Sequence, residues 1–266
     1  MEFAISLLSR IGGRETNEDR AAYVRTAQSL LLVVADGMGG HAHGEVAAEI
    51  VVGTLTEAFL IRARPRLQNP EGFLQESSRA AHLAIVERAL AERLDDIPGS
   101  TCVACVVQDG RAWWAHAGDS RLYHLRGGRT LARTRDHSLL RQIADSVGLS
   151  EEDAAVLAGG RNVIYSCIGG YQNPQIEFGR SAKLEEGDLL LLCSDGLWGS
   201  LSDAEIGDGL GAGSLAQALP RLAAEAEQRG GGTSDNVTAL ALAWGVREDG
   251  APPAPAGQVV FAGFGE

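Results

Sequence analysis

The chain has 266 residues, 45% hydrophobic and 22% charged, with 23 Lys and Arg against 35 Asp and Glu and a formal net charge of −12. That length holds one large sheet-based domain or two smaller ones. The acidic balance, with no basic stripe, argues against a protein that tracks a nucleic-acid backbone or an anionic membrane. No apolar run approaches the roughly 20 residues needed to span a bilayer, and the N-terminal "MEFAISLLSRIGG" lacks the basic region and long apolar run of a secretory signal. Cys102, Cys105, Cys167 and Cys193 lie within or beside apolar runs, as buried small hydrophobes do, so a cytoplasmic protein with reduced thiols is expected. Cys102 and Cys105 form a C-x-x-C, but on a strand their side chains point to opposite faces, which disfavours a redox or zinc role.

In chain order, the apolar run around residues 29–37 reads as a strand cut by Asp36-Gly37, and "GEVAAEIVVGTLTEAFL" then sets Val46, Ile50, Val51, Leu55 and Phe59 at helical spacing. A second helix is expected over "FLQESSRAAHLAIVERALAERL". After it come short β-like runs, "TCVACVVQ", "AWWAHAGDS" and "RLYHLRGG", whose brief turns indicate antiparallel hairpins. Residues 138–158 return to helical composition, and "NVIYSCIG" reads as a strand. "GDLLLLC" is another apolar strand, ended by Asp195-Gly196, with Ser202 and Glu205 spaced as a capping box. A last helix, kinked or started at Pro220, leads to a final strand in "NVTALALAW". The expected architecture is α+β: two packed antiparallel β-sheets flanked by α-helices on both sides. Residues 1–246 form the catalytic domain in this reading, and the Pro/Ala/Gly-rich residues 247–266 a flexible C-terminal tail.

Four aspartates recur where strands end or begin: Asp36 in "VVADG", Asp119 in "HAGDS", Asp195 in "LLCSDG" and Asp235 in "GTSDN". Each alone reads equally well as a turn residue. Together, if the strand ends converge, such carboxylates repel one another unless a cation sits between them. No Cys or His accompanies them at ligand spacing, and oxygen-only ligands favour Mg2+ or Mn2+ over zinc.

These segments, with "GRETNEDR" (13–20), "GSTCVACVV" (99–107) and "TRDHSLL" (134–140), resemble in order the motifs of the metal-dependent protein phosphatases (the type 2C serine/threonine phosphatases), in particular their bacterial stand-alone branch. The resemblance spans about residues 10–245. It implies a phosphoserine/phosphothreonine protein phosphatase that acts through a water bridging two Mg2+ or Mn2+ ions and opposes a cognate serine/threonine kinase. It further implies that Asp36 bridges both metals, that the Gly37 carbonyl binds the second, and that Asp195 and Asp235 complete the first. Asp119 with Asp195 matches a third, weaker metal position. Glu18 and Asp19 would hold metal-bound waters, and Arg14 would grip the substrate phosphate. Phosphoproteins and the kinase are the expected partners, with no nucleic acid and no membrane, for a monomer.

Two departures from the family pattern stand out. Met38 occupies the place of the histidine that eukaryotic members carry after Asp-Gly, so the acid for the leaving group is open between His41, His43 and a metal-bound water. Tyr165-Ser166 stand where bacterial relatives carry Thr-Arg, beside a flap expected over about residues 138–160. His137 reads as locally hydrogen-bonded, and Trp113, Trp114 and Trp198 as core or cleft-wall aromatics. Two other readings of the same residues are a phosphoprotein-binding pseudophosphatase, disfavoured because the full carboxylate set is present, and a phosphatase whose client is an anti-sigma-factor antagonist.

Overall fold

The computed structural model describes residues 1–38, 43–148, 163–246 and 254–263. Its first half contains β1 (Phe3–Arg10), β2 (Asp19–Arg25), β3 (Ser29–Met38), α1 (Gly44–Arg62), α2 (Pro70–Glu92), β4 (Gly99–Ser100), β5 (Cys102–Gln108), β6 (Arg111–Ala117), β7 (Arg121–Arg126) and β8 (Arg129–Arg133). There follow α3 (Leu139–Val147), β9 (Ile168–Gly169), β10 (Glu177–Lys183), β11 (Leu189–Cys193), α4 (Asp195–Trp198), α5 (Asp203–Gly211), α6 (Leu215–Gly230), β12 (Val237–Trp244) and β13 (Val259–Ala262).

Among the described residues the strands form two antiparallel sheets, one in the order β1-β12-β11-β7-β8 and the other β10-β6-β5-β3-β2-β13, with β4 and β9 appended to β3. The two-residue period of a strand assigns each side chain to a layer. In β3, Leu30, Leu32 and Val34 pack between the sheets, while Leu31, Val33 and Ala35 pack under α1 and α2. In β12, Leu240 and Leu242 face the same inter-sheet core, and Ala239, Ala241 and Ala243 turn their small side chains to α6. Burial on both faces explains why these strands read as continuous apolar runs. The expected sandwich of two antiparallel sheets flanked by helices is therefore the observed one. Cys102 and Cys105 fall in opposite cores, as their spacing required, and all four cysteines are free.

Local signals place the helix ends. Asn69 accepts from the Gly72 amide ahead of Pro70 in α2, and Ser202 with Glu205 forms a reciprocal capping box on α5. Among the described residues no helix is long and apolar enough to cross a membrane.

Three expectations are corrected. Pro220 does not start the last helix, which begins five residues earlier at Leu215 and carries the proline inside it. The strand read in "NVIYSCIG" is reduced, among the described residues, to an isolated bridge between Ser138 and Ile164 and the two-residue β9. Polar loop contacts take the rest of that backbone: the Tyr165 amide donates to the His137 carbonyl, and the Ser166 hydroxyl exchanges bonds with both the amide and the carbonyl of Gln175. Finally, the tail carries a strand. Val259–Ala262 pair antiparallel with β2, from Val259 opposite Val24 to Ala262 opposite Ala21, because β2 offers an open edge and "VVFA" is a β-prone run inside a Pro/Gly-rich stretch. The flap expected over 138–160 is described only as far as α3 and Gly148.

Candidate active site

Antiparallel pairing brings one end of every relevant strand to one place. Asp19 opens β2 directly opposite Asp36 near the end of β3. Asp119 follows β6, Asp195 follows β11, and Asp235 precedes β12. They surround a cleft of about 620 Å³ lined by Gly13, Arg14, Glu15, Thr16, Glu18, Asp36, Gly37, Met38, Asp119, Ile164, Asp195, Asp235 and Asn236. Asp19 lies beneath its floor, 1% exposed.

Like charges placed directly opposite on a ladder destabilise each other, and here five carboxylates share one corner, with Asp19 and Asp119 fully buried in it. Burial first, then Asp19, Asp195, Asp119 and Asp235, push the Asp36 carboxyl well above the usual range. Burial and the neighbouring Asp195 push Asp119 up to about 8. Asp19 rises to about 8, mainly through burial, despite a 2.7 Å hydrogen bond from the Ser194 hydroxyl. Asp195 rises to about 6 through burial and Asp235, with Asp36 within hydrogen-bonding reach. Glu18 is raised by burial and by Glu45. Each shift has the sign of a carboxylate lacking nearby positive charge, and divalent cations would reverse it.

Positioning is strict. The Asp36 amide donates to Thr101 Oγ1 at 2.9 Å, the Thr101 amide returns a 2.8 Å bond to the Asp36 carbonyl, and Ser120 Oγ bonds Thr101 Oγ1 at 2.7 Å. The Gly37 amide donates to the Glu18 carbonyl at 3.2 Å, and a Cβ on Gly37 would collide with the Gly44 carbonyl, so only glycine lets β3 pass here. Asn236 fastens the rim, accepting from the Glu18 amide at 2.8 Å and donating to the carbonyls of Ile11 at 2.8 Å and Thr16 at 3.0 Å. Arg14 reaches over from that loop, Nη2 2.6 Å from Asp235 Oδ2, and its pKa is raised by that bond.

The sequence-derived set Arg14, Glu18, Asp36, Gly37, Asp119, Asp195 and Asp235 thus lines one cleft, with Asp19 just below. His43 does not join them: it precedes α1 and makes no side-chain capping bond. His41 lies outside the described residues, and no histidine lines the cleft among those described. Thr101, Ser120, Ser194 and Asn236 were given no role from sequence. Thr101 and Asn236 nonetheless stand inside the quoted segments "GSTCVACVV" and "GTSDN", and their type, a short polar side chain next to a strand end, was the signal.

Comparison with known proteins agrees with this geometry. The family described as Protein phosphatase 2C matches residues 8–240. Protein phosphatase PhpP of Streptococcus pneumoniae is 33% identical over 211 residues, covering 77% of this chain and 82% of the relative. The serine/threonine phosphatase of S. agalactiae superposes with a TM-score of 0.81 at 30% identity, covering 91% of this chain and 99% of that one. The catalytic domain of serine/threonine protein phosphatase PstP, solved in complex with two manganese ions, gives a TM-score of 0.73 at 28% identity over 91% of this chain and 97% of that one. The chain therefore belongs to the protein phosphatase 2C family and is a metal-dependent serine/threonine phosphoprotein phosphatase.

Proposed function

We propose that the cleft hydrolyses phosphoserine and phosphothreonine in proteins with two Mg2+ or Mn2+ ions held by Asp36, the Gly37 carbonyl, Asp195 and Asp235, Asp119 with Asp195 offering a third position. The donor set fits such ions: it is all oxygen, with few carboxylates per ion, which leaves room for the waters that Mg2+ retains. The observation that carries the reading is the convergence of Asp36, Asp119, Asp195 and Asp235 from four separate chain segments on one cleft. Bound there, the ions supply positive charge that makes water nucleophilic at neutral pH and offsets the charge of the phosphate.

The chain's own residues do the rest. Arg14, at the mouth and ionised at any working pH, receives the phosphate through two parallel charge-assisted bonds, leaving Asp235 to the cation side. Glu18 and Asp19 hold ordered water from the rim and the floor. Thr101 and Ser120 keep Asp36 in register. Protonation of the leaving serine or threonine oxygen falls to His41 or to water of the open cleft, because Met38 stands where a histidine would and His43 lies off the cleft. A cytoplasmic monomer acting against a serine/threonine kinase is the setting that suits an enzyme of this specificity.

The test is hydrolysis of a phosphothreonine peptide with Mn2+, with EDTA, and in Asp36→Ala and Asp235→Ala. Activity should require the metal and disappear in both variants. Turnover in EDTA, or retained in both variants, would overturn the assignment.

A further inference from the structure

His116 on β6 stands in register with Glu177 on β10, on the face that carries Ala112 and Trp114 toward the inter-sheet core. The segment after β8 returns His137 to the same spot, anchored by the preceding Asp136, whose carboxylate takes a bidentate, buried pair of bonds from Arg121 at 2.9 and 2.7 Å. The two imidazoles lie 4.7 Å apart, centroid to centroid, and Tyr165 stacks against His137 at 5.4 Å. His116 is 3% and His137 1% exposed, while the Glu177 side chain is 55% exposed.

Each ring engages one nitrogen with the backbone. His116 Nε2 donates to the Arg135 carbonyl at 2.7 Å, and His137 Nδ1 accepts from the Gly118 amide at 3.3 Å. The remaining nitrogens, His116 Nδ1 and His137 Nε2, are buried with no hydrogen-bond partner among the described residues. His137 Nε2 lies 3.5 Å from Glu177 Oε1, and His116, His137 and Glu177 each offer one ligand atom within 4.8 Å of the others. A buried ring nitrogen without a partner costs about 1–3 kcal/mol, and the fold sets both rings beside one carboxylate.

We propose that His116 Nδ1, His137 Nε2 and the Glu177 carboxylate form a transition-metal site of the Zn2+ class, separate from the aspartate cleft. Two imidazoles and one carboxylate are the donors that zinc accepts and Mg2+ disfavours. A carbonyl accepting from the far N–H of His116 fixes the tautomer that leaves its Nδ1 lone pair free, the support that metal-bound histidines have. Burial lowers the basicity of both rings, aided at His137 by His116, which favours neutral imidazoles; His116 offers its Nδ1 lone pair as it stands, and His137 offers Nε2 once its proton moves to Nδ1. The exposed side of Glu177 is the way in, and it leaves a fourth position for water.

Loading has one internal consequence. A metal on His137 Nε2 leaves the ring proton on Nδ1, so the Gly118 amide loses its acceptor. Gly118 sits at φ +103°, directly before Asp119, with Thr101 side-chain atoms 2.7 Å from where its Cβ would be. Occupancy of the histidine site is thereby tied to the loop that carries Asp119.

With Mg2+ held saturating throughout, Zn2+ is titrated into the full chain against a chromophoric chelator, and the visible spectrum of added Co2+ is recorded. One Zn2+ per chain should be retained in competition with Mg2+, and Co2+ should show the intense bands of a four-coordinate site. Glu177→Gln, an exposed change on an edge strand, should weaken Zn2+ at least about tenfold, the loss that even a supporting partner of a ligand brings, and His137→Ala should remove that binding. The circular-dichroism melt of Glu177→Gln without zinc should match the unaltered chain. Displacement of Zn2+ by Mg2+, or unaltered Zn2+ affinity in both variants, would overturn the site and leave a water between the rings.

Discussion

Asn236→Ala removes a side chain that, together with the Arg14–Asp235 ion pair, ties the Arg14 loop to the Asp235 loop. Three bonds go: that from the Glu18 amide at 2.8 Å, and those to the carbonyls of Ile11 at 2.8 Å and Thr16 at 3.0 Å. Each such bond contributes about 0.5–1.5 kcal/mol net. Asn236 is only 6% exposed, so water replaces the lost partners poorly. The sum is about 2–4 kcal/mol of stability, or a fall in Tm of roughly 4–16 °C for a domain of this size. Because Glu18 and Arg14 hang from the same loop, KM for a phosphopeptide should rise as well. Asn236→Asp separates the two effects: it keeps the acceptor for the Glu18 amide but cannot donate to the two carbonyls, and it adds charge to an already acidic corner. Urea unfolding and initial rates at saturating Mn2+ measure both. An Asn236→Ala chain within about 0.5 kcal/mol of the unaltered chain, with unchanged KM, would refute the idea that this side chain sets the rim.

Two further outcomes follow from the same structure. Asp19 and Asp119 are raised to about 8 and Asp195 to about 6, against roughly 3.9 in an unfolded chain. Between about pH 4 and about pH 8 the folded state therefore holds protons that the unfolded chain has released, and stability in EDTA falls as pH rises. Thermal melts in EDTA should be lower at about pH 8 than at about pH 5.5, with Mg2+ raising Tm more at the higher pH; a flat EDTA profile would contradict the crowding of carboxylates. Ending the chain at residue 246 removes β13, and with ladder bonds at about 1 kcal/mol each it should lose about 2–4 kcal/mol, read as a lower urea midpoint; an unchanged midpoint would show that β13 adds nothing to β2.

How much of this was legible before folding depended on how local the cause was. Leu30–Ala35 and Leu189–Cys193 declared themselves because strands buried on both faces need apolar side chains at every position. The aspartates were readable because each sits beside the end of such a run. Thr101, Ser194 and Asn236 were not, since their partners lie far away in the chain: Asp36 is 65 residues from Thr101, Asp19 is 175 from Ser194, and Glu18 is 218 from Asn236. His137 was expected to bond locally, but its partner Gly118 lies 19 residues away; that bond and the meeting with His116 both depend on the β7-β8 hairpin turning the chain back. The strand in the tail was hidden because its partner is a sheet edge, and an open edge is a property of topology, not of composition.

The polarity of that last strand has a practical side. β1 runs so that Phe3 lies opposite Trp244 while Arg10 lies opposite Val237, which sets the chain's beginning at the end of the sandwich away from Asp235. β13 also runs toward the cleft, from Val259 opposite Val24 to Ala262 opposite Ala21, and a Cβ on Gly263 would collide with the Asp19 carbonyl. The described chain therefore reaches the floor of the cleft at Gly263, whereas Phe3 lies at the opposite pole of the sandwich, so a probe placed at one position reports on the cleft and a probe at the other does not.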